Sequence, residues 1–290
     1  MDATTPPAAT NPTAVPLAMA GPPVPEPEQP VAADLPAAAA QVSAKPNETA
    51  DSWWELLRIL FYALLIALVE RTLFFQPYNI PSGSMEDTLL VGDFLFVDKY
   101  SYGYSRYSIP YGRFLPSFGR VMMHDPQRGD VAVFALPSDP ERDFIKRIVG
   151  LPGDRVQVVH GVLSINDHLI PKVRDGNYVG FDEFGNRRVI ARYRETMPNG
   201  KSYEVLDAEV DGLNDNTPVY TVPSGHYFMM GDNRDDSDDS RGIVGYLPAE
   251  NLIGRAGFKF FSIDDRKTHA WTFWKWPSAI RWGRLFSPID

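Results

Sequence analysis

The chain has 290 residues, no cysteine, and 37 acidic against 28 basic residues, which gives a formal net charge of -9. An acidic balance without any cluster of basic residues argues against binding of nucleic acid. The absence of cysteine excludes thiol nucleophiles, disulfides and thiolate metal sites, and the length allows one large domain or two of modest size.

Residues 1–52 form a segment rich in alanine and proline, in which Lys45 is the only basic residue. Such a composition cannot bury enough apolar surface to offset the entropy that is lost on ordering, so we predict a disordered tail. The segment also lacks the basic start and the apolar centre of a cleavable secretion signal.

Residues 53–75 are the most apolar stretch, and we predict a single transmembrane anchor helix there. The uninterrupted apolar run is short for a span, but residues 56–75 come close to the roughly 20 residues that a crossing helix needs. Arg58 and Arg71 lie near the ends, where long side chains can reach the interface, and aromatic residues flank both ends. The alternative is an amphipathic helix that lies in the membrane interface. The flanking charges do not decide the orientation.

Residues 80–90, Ile-Pro-Ser-Gly-Ser-Met-Glu-Asp-Thr-Leu-Leu, combine two serines with a proline and a glycine. Pro81 fixes its own φ and favours extended geometry in Ile80, while Gly83 allows a tight turn. The stretch can therefore present Ser84 as a nucleophile beside free backbone N–H groups. The alternative is an ordinary loop, because proline, serine and glycine are common in turns.

Beyond residue 75, short β-branched and aromatic runs alternate with Gly, Pro and Asp, a pattern typical of antiparallel β structure. The predicted strands include 93–97, 130–134, 154–159, 162–165 and 226–230. We predict a mostly β fold in which 76–154 and 226–262 form an antiparallel catalytic sheet. A β-rich insertion, 155–225, carries hairpins within 166–220 that we expect to be separate from the chemistry. An aromatic C-terminal segment, 263–290, is expected either to rest on the membrane surface or to pack in the core.

A second informative stretch contains Lys146 and Arg147. If 143–149 is a strand, these two side chains point to opposite faces, so one cation stands among apolar neighbours. Desolvation lowers the pKa of a lysine, and a neutral amine is a competent general base for a serine hydroxyl, whereas arginine does not deprotonate. The alternative is an edge strand whose two cations reach solvent.

Residues 230–242 form a third stretch, which is acidic and contains two arginines. Counted from Asp235, it lacks the glycine and the glutamate that an EF-hand calcium loop requires at its sixth and twelfth positions. The mixture of acids, arginines and serines indicates bidentate ion pairs that support a site, with a solvated acidic loop as the alternative.

Several other chemistries lack their motifs. The sequence contains neither His-Glu-x-x-His nor Gly-x-Ser-x-Gly, and it has no P-loop or dinucleotide-binding glycine pattern. Asp87 stands three residues after Ser84, which excludes the Ser-x-x-Lys pattern at this serine. We therefore expect neither a metal nor a cofactor.

Taken together, the three stretches resemble bacterial type I signal peptidases, also called leader peptidases. The resemblance covers about residues 70–257 and rests on four blocks in the order of that family. The blocks are Ile80-Pro81-Ser82-Gly83-Ser84-Met85, Arg128-Gly129-Asp130-Val131-Ala132-Val133-Phe134, Lys146-Arg147-Ile148-Val149-Gly150-Leu151-Pro152-Gly153-Asp154, and Gly231-Asp232-Asn233-Arg234-Asp235 with Ser237, Asp239, Ser240 and Arg241. Asp87 departs from the family, in which many members carry proline, and the single anchor departs from members that have two.

The resemblance implies a dyad in which Ser84 is the nucleophile and Lys146 the general base. It implies an oxyanion hole made by the Ser84 N–H and the Ser82 hydroxyl, and a hydrogen bond by which Ser237 orients the Lys146 amine. The supporting residues that it implies are Asp232, Arg147, Asp239 and Arg241. The residues that it places at small apolar subsites for alanine-sized side chains are Tyr78, Ile80, Pro81, Met85, Leu89, Phe144 and Ile145.

The implied function is that of a membrane-bound serine endopeptidase that removes N-terminal signal peptides from exported preproteins at Ala-x-Ala sites. The expected partners are these preproteins, membrane lipid and the secretion translocon. The expected location is the plasma (inner) membrane, with one membrane pass and the catalytic domain on the outer, periplasmic face. Two alternatives stay open: a self-cleaving Ser–Lys protease of the LexA-repressor type, which would need a DNA-binding module upstream, and a membrane-tethered binding protein with a dead site.

Overall fold

The structure, a computed structural model, describes residues 48–181, 186–209, 211–264, 266–267, 274 and 276–289. The predicted disordered tail lies outside these residues except for 48–52, and so do Trp271, Phe273 and Lys275 of the aromatic C-terminal segment. The described part begins with one long helix and continues mainly as strands.

The first element is helix α1, Glu48–Leu73, which contains neither glycine nor proline and is rich in leucine and alanine. Phe74 N still donates to Glu70 O at 2.8 Å, and Phe75 begins the first strand. The helix covers residues 53–73 of the predicted anchor, whereas residues 74 and 75 are not part of it, and residues 48–52, predicted to belong to the disordered tail, are its first five residues. Its apolar side chains from Trp53 onward are exposed. Within the described residues, no helix combines the length and the apolarity that crossing a membrane requires.

Short strands make up most of the described chain after α1. Their bounds are β1 Phe75–Asn79, β2 Asp93–Asp98, β3 Val131–Leu136, β4 Asp139–Gly150, β5 Arg155–Val159, β6 Val162–Ile165, β7 His168–Leu169, β8 Lys172–Phe181, β9 Arg187–Thr196, β10 Ser202–Asp207, β11 Tyr220–Thr221, β12 His226–Met230, β13 Leu247–Pro248, β14 Leu252–Ser262 and β15 Ser287–Pro288. A short helix, α2, covers Trp276–Ala279. Every run that the sequence predicts as a strand forms one.

The strands of the described part form three sheets. The largest has the order β1-β2-β14-β3-β4-β12-β13, with β15 paired to β14. The other two have the orders β10-β9-β8 and β11-β5-β6-β7. All pairings between these strands are antiparallel, so the predicted mostly β, antiparallel fold is confirmed.

In the largest sheet, strand β4 runs through the interior beside the buried strand β3. In the neighbouring strand β3, Val133 packs in one apolar cluster with Met85, and Phe134 packs in a second cluster on the opposite face. Ala132 of β3 stands directly opposite Lys146 of β4. Because β3 is buried along its whole length, the lysine beside it is held inside the protein.

β4 has a second neighbouring strand only over part of its length. β12 pairs with β4 at Arg147, Ile148 and Gly150. Within the described residues, no strand pairs with this side of β4 from Asp143 to Lys146. This part of β4 is therefore an open strand edge, with backbone groups that a further extended chain could meet.

The aromatic C-terminal segment exposes the tryptophans that the structure describes. Trp274, Trp276 and Trp282 are all exposed. The expectation that such residues pack in the core is therefore wrong for these three.

Candidate active site

Ser84 lies in the loop between β1 and β2, and buried neighbours hold this loop in place. Met85 and Leu89 are fully buried, and Leu89 N donates to Met85 O at 2.7 Å. At the start of the loop, Ile80 N donates to Asp93 O at 2.8 Å, which ties it to β2. The backbone around the serine is therefore fixed by the packing of the residues that follow it.

Lys146 reaches Ser84 from β4. Its Nζ lies 2.5 Å from Ser84 Oγ in a buried hydrogen bond, and only 3% of the lysine is exposed. The Nζ also lies 5.4 Å from the centroid of the Phe144 ring. Since Arg147 is buried as well, the alternative of an edge strand whose cations reach solvent is wrong.

Burial changes the acid–base behaviour of Lys146. Desolvation lowers its pKa to about 8, from 10.5 for a free lysine. The carboxylates of Asp239, Asp238 and Asp232 act in the opposite direction, because they favour the ammonium form. Desolvation is the larger effect, so that about a tenth of the amine is neutral at pH 7 and able to accept a proton.

The loop after β12 packs directly against the backbone of Ser84. A Cβ on Gly231 would lie 2.2 Å from Ser237 Oγ and 2.5 Å from Ser84 O, so only glycine fits at this position. Asn233 N donates to Ser84 O at 3.1 Å, and Asn233 Nδ2 donates to Gly83 O at 3.1 Å. These contacts hold the serine through its own carbonyl and the preceding one.

Next to the lysine on β4, Arg147 makes a bidentate ion pair with Asp232. Its Nε donates to Oδ1 and its Nη2 to Oδ2, each at 2.8 Å. Asp232 Oδ2 also accepts a hydrogen bond from Thr88 Oγ1 at 2.6 Å, and Arg147 Nη1 donates to Gly129 O at 2.7 Å. The pair thus joins β4, the loop after β12 and the loop of Ser84. Both partners are buried, so the loss of one would leave an uncompensated charge.

A second buried pair lies within the loop after β12. Arg241 donates from Nε to Asp239 Oδ1 at 3.0 Å and from Nη2 to Oδ2 at 2.7 Å. Burial acts to raise the pKa of Asp239, but the hydrogen bonds and charge of Arg241 outweigh it and hold that pKa below its usual range. The second oxygen also accepts from Gly231 N at 3.1 Å. The stretch is therefore a set of ion pairs, and the alternative of a solvated acidic loop is wrong for Asp232 and Asp239.

A third buried pair was not predicted from the sequence. Arg234 Nη1 donates to Glu195 Oε1 at 2.7 Å, and Tyr203 donates to Oε2 of the same carboxylate at 3.0 Å. Arg234 belongs to the motif after β12 and could have been singled out there. Glu195 lies on β9 in the insertion, where the sequence has no motif that points to it.

The expectation that the insertion is separate from the chemistry is wrong. Leu206 of β10 donates from N to Asp232 O at 2.8 Å, and Arg234 N donates to Leu206 O at 2.9 Å. On β9, Arg192 Nη1 donates to Asp87 Oδ2 at 3.0 Å. The insertion therefore supports both loops that carry the site.

Ser84 and Lys146 lie in the wall of a cleft of about 1080 Å³. Other predicted site residues in this wall are Pro81, Ser82, Phe144, Ile145 and Ser237. Four predicted subsite residues do not line the cleft, namely Tyr78, Ile80, Met85 and Leu89. They pack instead in the apolar cluster against which Ile145 rests, because the loop of Ser84 uses these side chains to anchor itself.

Comparison with known proteins identifies the family. The profile of the family described as "Signal peptidase, peptidase S26" matches residues 53–261, which is most of the chain. The chain belongs to this family. A signal peptidase I from Rickettsia typhi is 45% identical over 208 residues, covering 69% of this chain and 77% of its own. Another from Rickettsia akari is 41% identical over 224 residues, covering 74% and 81%. A crystal structure of a signal peptidase I from Enterococcus faecalis is 25% identical, with a TM-score of 0.27, and the match covers 46% of this chain and 97% of that one.

Membership in this signal peptidase family makes the chain a serine endopeptidase, which confirms the resemblance drawn from the sequence. A serine peptidase needs donors for the oxyanion of its intermediate. Ser82 is exposed in the cleft wall, and within the described residues neither its hydroxyl nor the Ser84 N–H donates a hydrogen bond. Both donors are therefore available to a bound group.

Ser237 differs from what the resemblance implies. Its Oγ is buried, and it has no hydrogen-bond partner among the described residues. The expected hydrogen bond to Lys146 is thus not formed in this structure, although Ser237 lines the same cleft.

The described residues include one group of acids with the spacing of metal ligands. Carboxylate oxygens of Asp207, Asp215 and Asp235 lie within 4.8 Å of one another. Lys172 pairs with Asp207, and the backbone N–H of Gly212 donates to Asp215 at 2.7 Å. Asp235 accepts from the N–H of Ala208 at 2.6 Å. Partners within the protein thus already compensate these charges.

Proposed function

We propose that this chain is a membrane-attached endopeptidase that removes N-terminal signal peptides from exported preproteins, with Ser84 as nucleophile and Lys146 as general base. The observation that carries the proposal is the buried hydrogen bond of 2.5 Å between Lys146 Nζ and Ser84 Oγ. An amine whose pKa is lowered, at this distance from a hydroxyl, can accept its proton. Membership in the signal peptidase family supports preproteins as the substrates.

The reaction then proceeds in two halves. Neutral Lys146 accepts the proton of Ser84 as Oγ attacks the carbonyl carbon before the cut, and the Ser84 N–H and the Ser82 hydroxyl stabilise the oxyanion. The Lys146 ammonium gives its proton to the amine of the leaving segment, so the mature protein departs and an acyl-enzyme remains. Lys146 next takes a proton from water as the water attacks the ester carbonyl. That proton passes to Ser84 Oγ as the ester bond breaks, and the signal peptide leaves with a free carboxyl group.

The open edge of β4 supports a binding mode for the residues before the cut. An extended peptide that adds to a strand edge exchanges backbone hydrogen bonds and turns alternate side chains toward the protein. Asp143 and Phe144 belong to this edge, and the apolar cluster of Ile80, Met85 and Leu89 supports the wall beside it. A narrow apolar pocket rejects large side chains by overlap, which accounts for Ala-x-Ala selectivity.

The remaining predicted residues are proposed as positioning residues. The pairs Arg147–Asp232 and Arg241–Asp239 hold the loop that packs on Ser84. Gly231 lets Ser237 approach the backbone of Ser84, and Ser237 Oγ has no other partner among the described residues. We assign it the role of accepting a hydrogen bond from the neutral Lys146 amine during turnover, when Ser84 Oγ is part of the ester.

We further propose that α1 attaches the catalytic domain to the outer face of the plasma membrane, where preproteins emerge from the secretion translocon. The exposed apolar side chains of α1, and the exposed Trp282 and Phe286, support contact with lipid. Flotation of the full chain with lipid vesicles tests the attachment, and failure to float would reject it. Protease digestion of the vesicles distinguishes a span from an interfacial helix, because a span protects residues 1–47 when Ser84 is accessible.

Cleavage of a purified preprotein with an Ala-x-Ala site tests the function. Ser84→Ala and Lys146→Ala are each expected to lose about 10³-fold or more in kcat/KM while they keep the fold. Ser164→Ala is a matched control, because Ser164 is also 9% exposed, like Ser84, but lies on β6. Turnover at the normal rate by either site variant would reject the dyad, and an intact preprotein after incubation with the wild type would reject the substrate.

Two further measurements complete the test. Replacing the alanine before the cut by leucine in the preprotein should abolish cleavage if the subsite is narrow. Labelling by an acylating serine probe should occur at Ser84 and disappear in Ser84→Ala. A chain that binds preprotein without being labelled would instead be a binding protein with a dead site.

A further inference from the structure

The cleft of Ser84 is larger than three small residues require. Its volume of about 1080 Å³ reaches the upper end of the range that encloses whole drug-sized ligands. It continues beyond the serine to the hairpin of β8 and β9, where Tyr178, Val179, Gly180, Phe181 and Arg188 form part of its wall. One wall of the cleft is thus supplied by the insertion.

This wall is made by an edge strand. In the sheet β10-β9-β8, the last strand has β9 as its only strand neighbour within the described residues. The backbone of β8 from Tyr178 to Phe181 therefore offers N–H and C=O groups to the cleft at alternate residues. Val179 and Phe181 are 46% and 47% exposed, whereas Gly180 between them is buried beside the Tyr178 ring, and the Arg266 guanidinium lies 4.3 Å from the centroid of the Phe181 ring.

Polar contacts hold the hairpin at a fixed place beside the serine. The Tyr178 hydroxyl donates a hydrogen bond to Glu86, and Arg192 Nη1 donates to Asp87 Oδ2 at 3.0 Å. The two acceptors lie two and three residues after Ser84 in the chain. A third contact joins Arg188 Nη1 to Asp236 Oδ2 at 3.7 Å in the loop after β12.

The position of these contacts indicates which part of a substrate meets the hairpin. The open edge of β4, together with Pro81 and Phe144, forms the side of the cleft that we assign to the substrate residues before the cut. The hairpin is attached to the chain that follows Ser84, at Glu86 and Asp87. An extended substrate that passes over Ser84 therefore leaves the edge of β4 and reaches the edge of β8 with the residues after the cut.

We propose that the edge of β8, from Tyr178 to Phe181, binds the first residues of the mature segment by strand addition. The inference rests on the proposed function and extends it to the part of the substrate that is released. Main-chain hydrogen bonds recognise an extended peptide whatever its side chains are. That suits an enzyme whose substrates share a small-residue cleavage site but differ in sequence after it.

Peptides of different length test the proposal with the full-length protein. One peptide carries an Ala-x-Ala site and ends two residues after the cut, and the second continues for six residues. We expect kcat/KM to be at least 5-fold higher for the longer peptide. N-methylation of single amides in the longer peptide should remove this gain at alternate positions only, because successive N–H groups of a strand point to opposite sides.

Variants of the hairpin provide the second arm. Arg192→Ala removes the contact to Asp87, and the ratio of the long to the short peptide should fall to less than half of its wild-type value. Arg194→Ala is the matched control on the same strand, because Arg194 pairs with Asp175 at 3.1 Å and Glu204 at 2.9 Å, within the insertion. The ratio should stay unchanged in this control.

The outcomes separate the two proposals. Equal kcat/KM for both wild-type peptides, or a methylation effect without alternation, would overturn the site on β8. A gain in kcat/KM that arises only when the peptide is lengthened before the cut would also overturn this site. Binding of the same peptides to Ser84→Ala needs no turnover, so absence of cleavage by the wild type would reject the proposed function, whereas loss of the alternating pattern in binding would reject the β8 site.

Discussion

Among the residues that the structure describes, two lysines are less than 5% exposed, and they differ in what they can do. Lys99 is 0% exposed and Lys146 is 3% exposed. Desolvation is the largest influence on both, and it lowers the pKa of each to about 8. By burial and acidity alone, either amine would qualify as a general base.

The partners of the two amines separate their roles. Lys99 Nζ donates to Arg71 O at 2.8 Å and to Ser108 O at 2.5 Å, and a carbonyl has no proton to give. Lys146 Nζ instead meets the hydroxyl of Ser84 in the wall of a cleft. Lys99 thus ties the last turn of α1 to the catalytic sheet, while Lys146 is placed for proton transfer. A lowered pKa becomes useful only beside a group that can exchange a proton.

The largest predicted difference is in activity. Lys146→Met should reduce kcat/KM on a short soluble peptide by about 10³-fold or more, because the base is lost. Lys99→Met should keep kcat/KM within about 3-fold, measured well below its unfolding temperature. Similar losses in both variants would show that Lys146 acts through the structure rather than through its proton.

The pH dependence of activity should follow Lys146. In the proposed mechanism the neutral amine is the active form, so kcat/KM should rise about tenfold per pH unit below pH 8 and level off above it. Lys99→Met should keep this profile, since Lys99 does not touch the serine. A profile that is flat between pH 6 and 8 would contradict a base with this pKa.

Thermal stability should fall in Lys99→Met and should not fall in Lys146→Met. Lys99→Met leaves the carbonyls of Arg71 and Ser108 without this donor, and because Ser108 is fully buried, its unpaired carbonyl costs roughly 1–3 kcal/mol and should lower Tm clearly. Lys146→Met removes a desolvated charge from a cleft wall and should leave Tm unchanged or raise it. Thermal unfolding monitored by circular dichroism measures both Tm values. A Tm that is lowered only in Lys146→Met would give the structural role to Lys146 rather than to Lys99.

Stability should also rise with pH, and both lysines should contribute. Each folded pKa, about 8, lies below the unfolded value of 10.5, so between these values the unfolded chain binds more protons and stability rises with pH. Each lysine can add at most about 1.4 kcal/mol per pH unit. Either methionine variant should reduce the slope of Tm between pH 8 and 9.5, and an unchanged slope in both would refute the lowered pKa values.

The smallest predicted effect concerns an exposed acid. Asp238 favours the ammonium form of Lys146, so Asp238→Asn should move the midpoint of the activity profile to lower pH by less than about one unit. The effect should shrink at high salt, because the carboxylate is exposed to solvent. A shift to higher pH would contradict the electrostatic assignment.

The strands and the contact between Lys146 and Ser84 could be predicted because local patterns carry them. Alternation along 143–149 indicated that Lys146 and Arg147 face opposite ways, and the structure has Lys146 at Ser84 and Arg147 at Asp232. The ion pair between Glu195 and Arg234 could not be predicted, since the two residues are distant in sequence. Glu195 lies on β9, and Arg234 lies in the loop after β12. The role of Ser237 stays a prediction, because its hydroxyl makes no hydrogen bond here.

The predicted subsite residues show a different limit of prediction from sequence. Apolar residues around Ser84 serve two purposes, either to line a pocket or to anchor the loop, and the sequence does not distinguish them. The structure has Met85 and Leu89 fully buried in the core, whereas Phe144 lines the cleft. Only packing decides which of these side chains a substrate can touch.

The sequence by itself determined the secondary structure, the family and the two residue types that a serine peptidase of this kind needs, because these properties depend on local patterns and short motifs. The tertiary structure decided which buried lysine meets a hydroxyl, which acids hold the arginines, and that the insertion forms a wall of the cleft. Those outcomes depend on contacts between segments far apart in the chain. Desolvation and proximity are properties of the folded interior, and no single segment carries them.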